Sequence, residues 1–149
     1  DSLGNISYGI INSRGEYTVE PQQNRLTALS SNNIAAILIN GVNGNGLWGY
    51  IDINGSSVIE PQFEYANGFA DNSLACVATT NDNGRTVWGY INEQGTYVIE
   101  PKFADAGSFS ANGIAAVREP GELVGYIDDS GYYVITPQFT SAGEFCAVN

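Results

Sequence analysis

The sequence contains no histidine, and it has two cysteines and five lysine or arginine residues among 149 positions. The lack of histidine removes the commonest general base and every His-dependent catalytic triad. Two cysteines without histidine do not supply the four ligands of a structural zinc site. Sixteen acidic residues give a net charge of -11, and such a field opposes binding to nucleic-acid phosphates and anionic lipid. The composition therefore argues against an enzyme, a zinc protein and a nucleic-acid-binding protein.

Long apolar runs are also missing. No run approaches the roughly 18 residues of a transmembrane helix, and no signal segment begins at Asp1. We therefore expect no membrane insertion. The missing initiator methionine indicates a processed or excised piece, which we expect to stand beside other repeats or domains of a longer chain.

The sequence does contain one motif that occurs four times. Each copy has a glycine between large apolar residues, a second glycine six positions later, and a proline six positions further. The registers of successive copies differ by 40, 40 and 36 residues. The positions are Gly9, Gly15 and Pro21; Gly49, Gly55 and Pro61; Gly89, Gly95 and Pro101; and Gly125, Gly131 and Pro137. A period of this size predicts a repeat architecture, here a single domain over 1–149 with repeats at about 6–39, 47–80, 87–118 and 123–149.

Within a repeat, the signals are those of strands. In the third repeat an aromatic and β-branched run, 88–91, precedes a turn that ends at Gly95, and a second such run follows at 96–99. We expect Pro101 to end this pairing, because proline has no N–H to donate. A loop of about ten residues then leads to a third apolar run. These third runs are 34–39, 74–77, 114–117 and a shortened 145–148.

The short link 119–122 favours antiparallel pairing of each third strand with the first strand of the next repeat. No stretch has capped, helical periodicity, so we expect little helix. The predicted fold is all-β, a tandem array of four three-stranded antiparallel repeats. Unpaired strands near 6–11 and 145–148 either continue an open, solenoid-like array or join to close a propeller-like ring, and the points where the chain begins and ends favour the open array.

Glycine at one strand position in all four repeats suggests a close approach of backbone, or an aromatic ring lying over it. Trp48 and Tyr50 share one face of their strand. Packing between repeats explains these rings, and a row of exposed platforms for sugar rings or a peptide is the alternative. Tyr8 and Val124 replace the tryptophan in the outer repeats, which favours packing.

Cys76 occupies the position of Ala36 and Ala116 in other repeats. This favours a small buried residue, and a disulfide to Cys146 remains the alternative, which would bring the second and fourth repeats together.

Acidic and glycine-rich positions are the remaining candidates for functional sites. Glu20, Glu60 and Glu100 precede the repeat prolines, and Thr136 replaces them in the fourth repeat. Because they recur with the period, they indicate a hydrogen-bonding or solvated role at strand ends and not a catalytic pair. The turns 52–55 and 128–131 lack the spaced ligands of a calcium loop and indicate Asx turns. The link 43–46 lacks the lysine and helix of a phosphate loop. The sequence thus assigns no catalytic, metal-binding or cofactor-binding residue, and the ligand-binding residues are unknown.

The run Leu47 to Asp52, then Gly55, then Val58 to Phe63, resembles the consensus of the bacterial WG-repeat proteins, and 87–103 matches it as closely. The departures are Tyr8, Gln23, Val124 and Thr136, so the outer repeats are degenerate. The resemblance implies a β-rich tandem module, often in exported or cell-surface bacterial proteins, and it supplies no catalytic residues.

Two functions remain open. The first is a non-catalytic module for protein interaction or a spacer, whose partner is set by the loops 40–46 and 81–86. The alternative is a carbohydrate-binding module that uses exposed rings such as Tyr65, Tyr132 and Tyr133. The expected partners are an unidentified protein or a glycan, with no cofactor and no nucleic acid, in an extracellular or cell-surface setting.

Overall fold

The computed structural model describes residues 7–22, 25–40 and 46–141. In this part of the chain there is no helix, and the strands form four antiparallel sheets. The all-β prediction is confirmed. The strands are β1 (Tyr8–Ile11), β2 (Tyr17–Gln22), β3 (Arg25–Leu26), β4 (Ile34–Asn40), β5 (Gly46–Asp52), β6 (Ser57–Phe63), β7 (Tyr65–Ala66), β8 (Ala75–Thr80), β9 (Thr86–Ile91), β10 (Tyr97–Phe103), β11 (Asp105–Ala106), β12 (Ala115–Arg118), β13 (Val124–Ile127) and β14 (Tyr133–Phe139).

The sheets do not coincide with the sequence repeats. The first sheet pairs β1 with β2, and the second, third and fourth sheets have the orders β3-β4-β5-β6, β7-β8-β9-β10 and β11-β12-β13-β14. Each four-stranded sheet therefore takes two strands from the end of one repeat and two from the start of the next. The expected pairing across the repeat boundary is confirmed at β4 with β5, β8 with β9 and β12 with β13.

The proline does not end its strand, which corrects the sequence-based expectation. β10 runs through Pro101 to Phe103, with Ile99 opposite Tyr90 and Phe103 opposite Trp88. Residues 100–102 therefore lie opposite Gly89 alone, in a β-bulge. A bulge takes residues out of the hydrogen-bonding ladder, so the missing N–H of proline costs nothing there. β6 and β14 carry the same irregularity.

The expected ten-residue loop also contains structure that the sequence did not indicate. The two-residue strands β3, β7 and β11 pair with β4, β8 and β12. They add a fourth strand to the three that were expected in a repeat. Tyr65 lies opposite Ala78, and Ala66 opposite Val77. The fourth expected third strand, 145–148, lies outside the described residues.

The sheets stack face to face, and the core lies between them. We call the face toward the next sheet along the chain the forward face, and the opposite one the backward face. Forward-face residues of the second sheet (Ala36, Tyr50, Ile59, Phe63) pack with backward-face residues of the third (Ala75, Val77, Ile91). The third and fourth sheets repeat this joint, and a smaller cluster joins the first and second sheets through Ile10, Val19, Ile37 and Ile51.

Across the described ranges, no strand of the first sheet pairs with a strand of the fourth. The arrangement is an open array of stacked sheets, as expected. Within those same ranges, no helix has the length and apolar character needed to cross a membrane.

Candidate functional site

The repeat tyrosines lie in the joints. Tyr50 and Tyr90 are 0% exposed, and their hydroxyl groups donate hydrogen bonds of 2.8 Å to the carbonyl oxygens of Asn67 and Gly107. Phe69 and Phe109 pack on these rings with 4.8 Å between centroids. Burial raises the pKa of both tyrosines far above the ordinary value. The packing interpretation is confirmed for these rings.

The tryptophans are only half-buried, and one of them forms a surface feature. Trp48 and Trp88 pack at the margins of the joints. Tyr65 stacks over Trp88, with 5.9 Å between centroids and 26° between planes, and Tyr65 is 57% exposed. We call these two residues the ring pair. It arises because β7 lies beside β8, which places Tyr65 and Trp88 on either side of the small residue Ala78.

The other two rings named from the sequence are not part of this surface. Tyr132 is 74% exposed at the turn before β14. Tyr133 is half-buried, and its hydroxyl group donates to Glu119 Oε1 over 3.4 Å. Burial, together with the carboxylate of Glu119, raises the pKa of Tyr133.

The strand glycines permit the bulges. A Cβ atom on Gly49 would lie 2.5 Å from the carbonyl oxygen of Ile59, and one on Gly9 would lie 2.7 Å from that of Val19. Real Cβ contacts are longer, so only glycine fits. The close backbone approach expected from the sequence is confirmed, and it occurs where the bulged strand crosses over the glycine.

The edge strands β6, β10 and β14 also carry a row of exposed side chains, which sequence reasoning missed. Val58, Val98 and Val134 occupy equivalent positions in β6, β10 and β14, and all three are exposed. Two residues further on, Glu60, Glu100 and Thr136 are exposed as well. We call these six residues the edge row. The sequence does contain a signal for the exposed valines, since each is followed directly by an isoleucine. Successive residues of a strand face opposite sides, so only one residue of each Val-Ile pair can point into the core.

The glutamates of the edge row face solvent, in agreement with their interpretation as solvated residues. They lie at a bulge within the strand, however, and not at its end.

The turns after the first strand of each repeat are Asx turns. Asp52 Oδ1 accepts backbone N–H groups of Asn54 and Ser56 at 2.8 and 2.9 Å, and Asp128 Oδ1 accepts those of Ser130 and Tyr132 at 3.0 and 2.9 Å. Asn92 forms the same pair of bonds without a charge. The Asx-turn interpretation is therefore confirmed. Among the described residues, no group of three histidine, cysteine, aspartate or glutamate side chains is arranged to hold a metal ion.

Cys76 fills a small space in the core. It is 1% exposed and free, and its Sγ lies 3.6 Å from the carbonyl oxygen of Ala106. Burial raises the pKa of its thiol to about 12, while the hydrogen bond with Tyr90 acts in the opposite direction. The small-residue interpretation is confirmed for Cys76; Cys146 lies outside the described residues.

A surface depression lies against the forward face of the fourth sheet. It has a volume of about 960 Å³, and its lining includes Phe109, Ile114, Ala116, Val124 and Thr140. Of the two loops expected to vary, 81–86 forms a tight turn in which Gly84 N–H donates to the Asn81 carbonyl group, and residues 41–45 of the other lie outside the described ranges.

Comparison with known proteins agrees with this architecture. The model of the family described as "WG containing repeat" matches residues 48–82, 88–121 and 125–147, which together make up more than half of the chain. These matched residues begin at Trp48, after the first predicted repeat, 6–39. Searches of curated proteins and of solved structures each found no match. The chain therefore belongs to the family of proteins built from WG repeats.

Proposed function

We propose that this chain is a non-catalytic repeat module that binds another protein through the edge row or acts as a spacer between domains. The observation that supports this is the periodic outer surface. Three successive sheets each present one exposed valine and one exposed polar side chain at equivalent positions of their edge strand. Because stacked sheets lie about 10 Å apart, an extended partner could contact one bulge after another.

The chemistry of the edge row limits the kind of partner. Valines alternate with polar side chains, two of which are glutamates, and the whole chain carries a net charge of -11. Such a surface favours a partner with apolar and basic groups, and it disfavours nucleic acid and anionic membranes. We further propose an extracellular or cell-surface location, which the family resemblance supports. Labelling of the protein on intact cells with an impermeant reagent would test that location.

The edge row can be tested by charge substitution. A variant with Val58→Asp, Val98→Asp and Val134→Asp changes exposed residues, so we expect it to fold normally. Partner capture from cell extracts should retain a defined protein on the wild type and lose it on this variant. A matched control is Tyr132→Asp with Leu123→Asp, which changes exposed apolar residues elsewhere. Equal retention by all three proteins would contradict binding through the edge row. Failure of the wild type to retain any defined protein would contradict the interaction role and leave the spacer role.

Glycan binding is the second candidate, and the ring pair is the observation that favours it. Tyr65 keeps one ring face open while Trp88 supports the other. Aromatic faces of this kind provide rigid contact area for apolar sugar surfaces. Titration with a glycan panel should quench Trp88 fluorescence in the wild type and not in Tyr65→Ala. An unchanged fluorescence in the wild type would remove this candidate.

A further inference from the structure

A row of exposed polar side chains lies beside the ring pair on the third sheet. Thr80 is two positions after Ala78 on β8, and Thr86 is two positions before Trp88 on β9. Thr80 and Thr86 lie opposite each other in the β8–β9 register, and both are exposed. Because side chains two positions apart point to the same side of a strand, both threonines lie on the face that carries the ring pair.

A carboxylate belongs to the same row. Glu64, directly before Tyr65, accepts a hydrogen bond from the Thr80 hydroxyl group through Oε1. This bond holds the carboxylate next to Thr80, which is only about 7 Å along β8 from the residue between the two rings. An ionised carboxylate has roughly four acceptor positions. Glu64 can therefore accept further hydrogen bonds from a ligand that covers the Tyr65 ring.

Stacking of the repeats does not cover this place. The ring pair lies on the forward face of the third sheet, and the fourth sheet is already packed on that face through Ala115 and Val117. With this sheet in place, Tyr65 is still 57% exposed. The open ring face is thus not one that a neighbouring repeat of the array occupies.

Among the described sheets, this combination of side chains occurs once. At the place of Tyr65, the second sheet has Arg25 and the fourth has Asp105. At the places of the two threonines, the second sheet has Asn40 and Gly46. A side chain required for stacking would recur with the period, so the patch on the third sheet is not explained by the architecture.

The chain itself shows how a ring and a carboxylate hold an ammonium group. Lys102 Nζ lies 4.9 Å from the centroid of the Phe103 ring and 3.1 Å from Glu119 Oε1. The face of an aromatic ring attracts a cation, and a carboxylate close by adds a charge-assisted hydrogen bond. The ring of Tyr65 and the carboxylate of Glu64 offer the same two groups to a ligand.

We propose that the ring pair, together with Glu64, Thr80 and Thr86, binds an amino sugar. The open face of Tyr65 suits the C–H face of the sugar ring, the threonine hydroxyl groups suit its hydroxyl groups, and Glu64 suits its ammonium group. The net charge of -11 favours a cationic sugar and opposes sugars that carry carboxylates. The proposal rests on the glycan-binding candidate described above and names its class of sugar.

The test is isothermal titration calorimetry at pH 6, where the sugar amine is protonated. The probes are a tetramer of β-1,4-linked glucosamine and the matching tetramer of glucose, which has a hydroxyl group in place of each amine. The wild type should bind the glucosamine tetramer about tenfold more tightly, because a hydrogen bond to a charged group is stronger by roughly that factor than one between neutral groups.

Three variants locate the preference. Glu64→Gln keeps an oxygen for the Thr80 hydroxyl group and removes the charge, so it should bind both tetramers with similar affinity. Glu122→Gln removes the same charge from an exposed position on the link 119–122, and it should keep the wild-type preference. Tyr65→Ala should bind neither tetramer. Thermal melts check that the variants fold, and the comparison of the two sugars on the wild type needs no variant.

The results that would overturn the proposal are distinct from those that would remove glycan binding altogether. Equal affinity of the wild type for the two tetramers would overturn it and leave the glycan-binding candidate. A preference that survives in Glu64→Gln would also overturn it, since the general charge of the chain would then attract the amine. Binding of neither tetramer would overturn it too, and the glycan panel would then show whether the glycan-binding candidate fails with it.

Discussion

The glycine of one strand lies directly beneath the carbonyl group of its neighbour: a Cβ atom on Gly89 would be 2.7 Å from the oxygen of Ile99. The next nearest atoms are N and Cα of Pro101, at 2.8 and 3.0 Å. All three are backbone atoms, so no side-chain rotation can relieve the contact. The bulge and the glycine therefore depend on each other.

Gly89→Ala should consequently lower the free energy of unfolding by about 2 kcal/mol, the usual cost of overpacking. Gly107→Ala is the matched control, because the nearest atom to its added Cβ would be 3.8 Å away. Urea unfolding of both variants measures the difference. Equal stabilities would show that the bulge can relax.

The buried hydroxyl groups provide a second prediction. Tyr90→Phe removes the donor to the Gly107 carbonyl group and should lower the free energy of unfolding by about 1–2 kcal/mol. Tyr50→Phe removes the equivalent bond to Asn67 and should cost a similar amount. Tyr132→Phe, at an exposed position, should leave stability unchanged in the same denaturation experiment. If Tyr90→Phe left the free energy of unfolding unchanged, the hydroxyl group would contribute no net stability.

The Cys76 thiol should make stability depend on alkaline pH. Its pKa is 9.0 in the reference state and about 12 in the folded protein. Above pH 9 the unfolded chain loses this proton first and the folded state keeps it, so the free energy of unfolding falls as the pH rises from 9 toward 12.

Tyr50 and Tyr90 act in the same direction, so the thiol contribution must be isolated by difference. Both proteins carry Cys146→Ser. The one that keeps Cys76 should lose free energy of unfolding more steeply between pH 9 and 12 than the one with Cys76→Ala. The native thiol should also resist modification by a thiol reagent at pH 8 and react after denaturation. Identical pH slopes would contradict the shifted pKa.

The Asx turns should tolerate loss of charge but not loss of the oxygen. Asp52→Asn keeps the acceptor for the two backbone N–H groups and should be neutral, whereas Asp52→Ala should lower the free energy of unfolding by about 1–2 kcal/mol. Thermal melts with and without calcium should coincide for all three proteins. A calcium-dependent rise in the melting temperature of the wild type would show a metal site at this turn.

The sequence was sufficient for the features that recur with the period. The position of each strand glycine predicted a close backbone approach, and the short link 119–122 predicted the β12–β13 pairing. Cys76 was predicted as a small buried residue because alanine stands at its equivalents. These inferences worked because a repeat shows the same physical constraint several times.

The features that depend on how strands pair in three dimensions were not predictable in the same way. Pro101 was expected to end a strand, because local chemistry does not show that a bulge has already taken its N–H out of the ladder. β7 has only two residues, which is too short for an alternating apolar pattern to indicate a strand that pairs with β8. The ring pair follows from that same pairing, so its geometry was also hidden.

The offset between sheets and sequence repeats affects how the array can be cut or lengthened. Each boundary between two repeats falls inside a sheet, between strands that are hydrogen-bonded to each other. A protease that nicks the chain at residues 119–122 would leave β12 and β13 paired, and the two fragments would stay associated. Conversely, a gene duplication of one period, starting at any codon, would insert one complete sheet and leave the other joints intact.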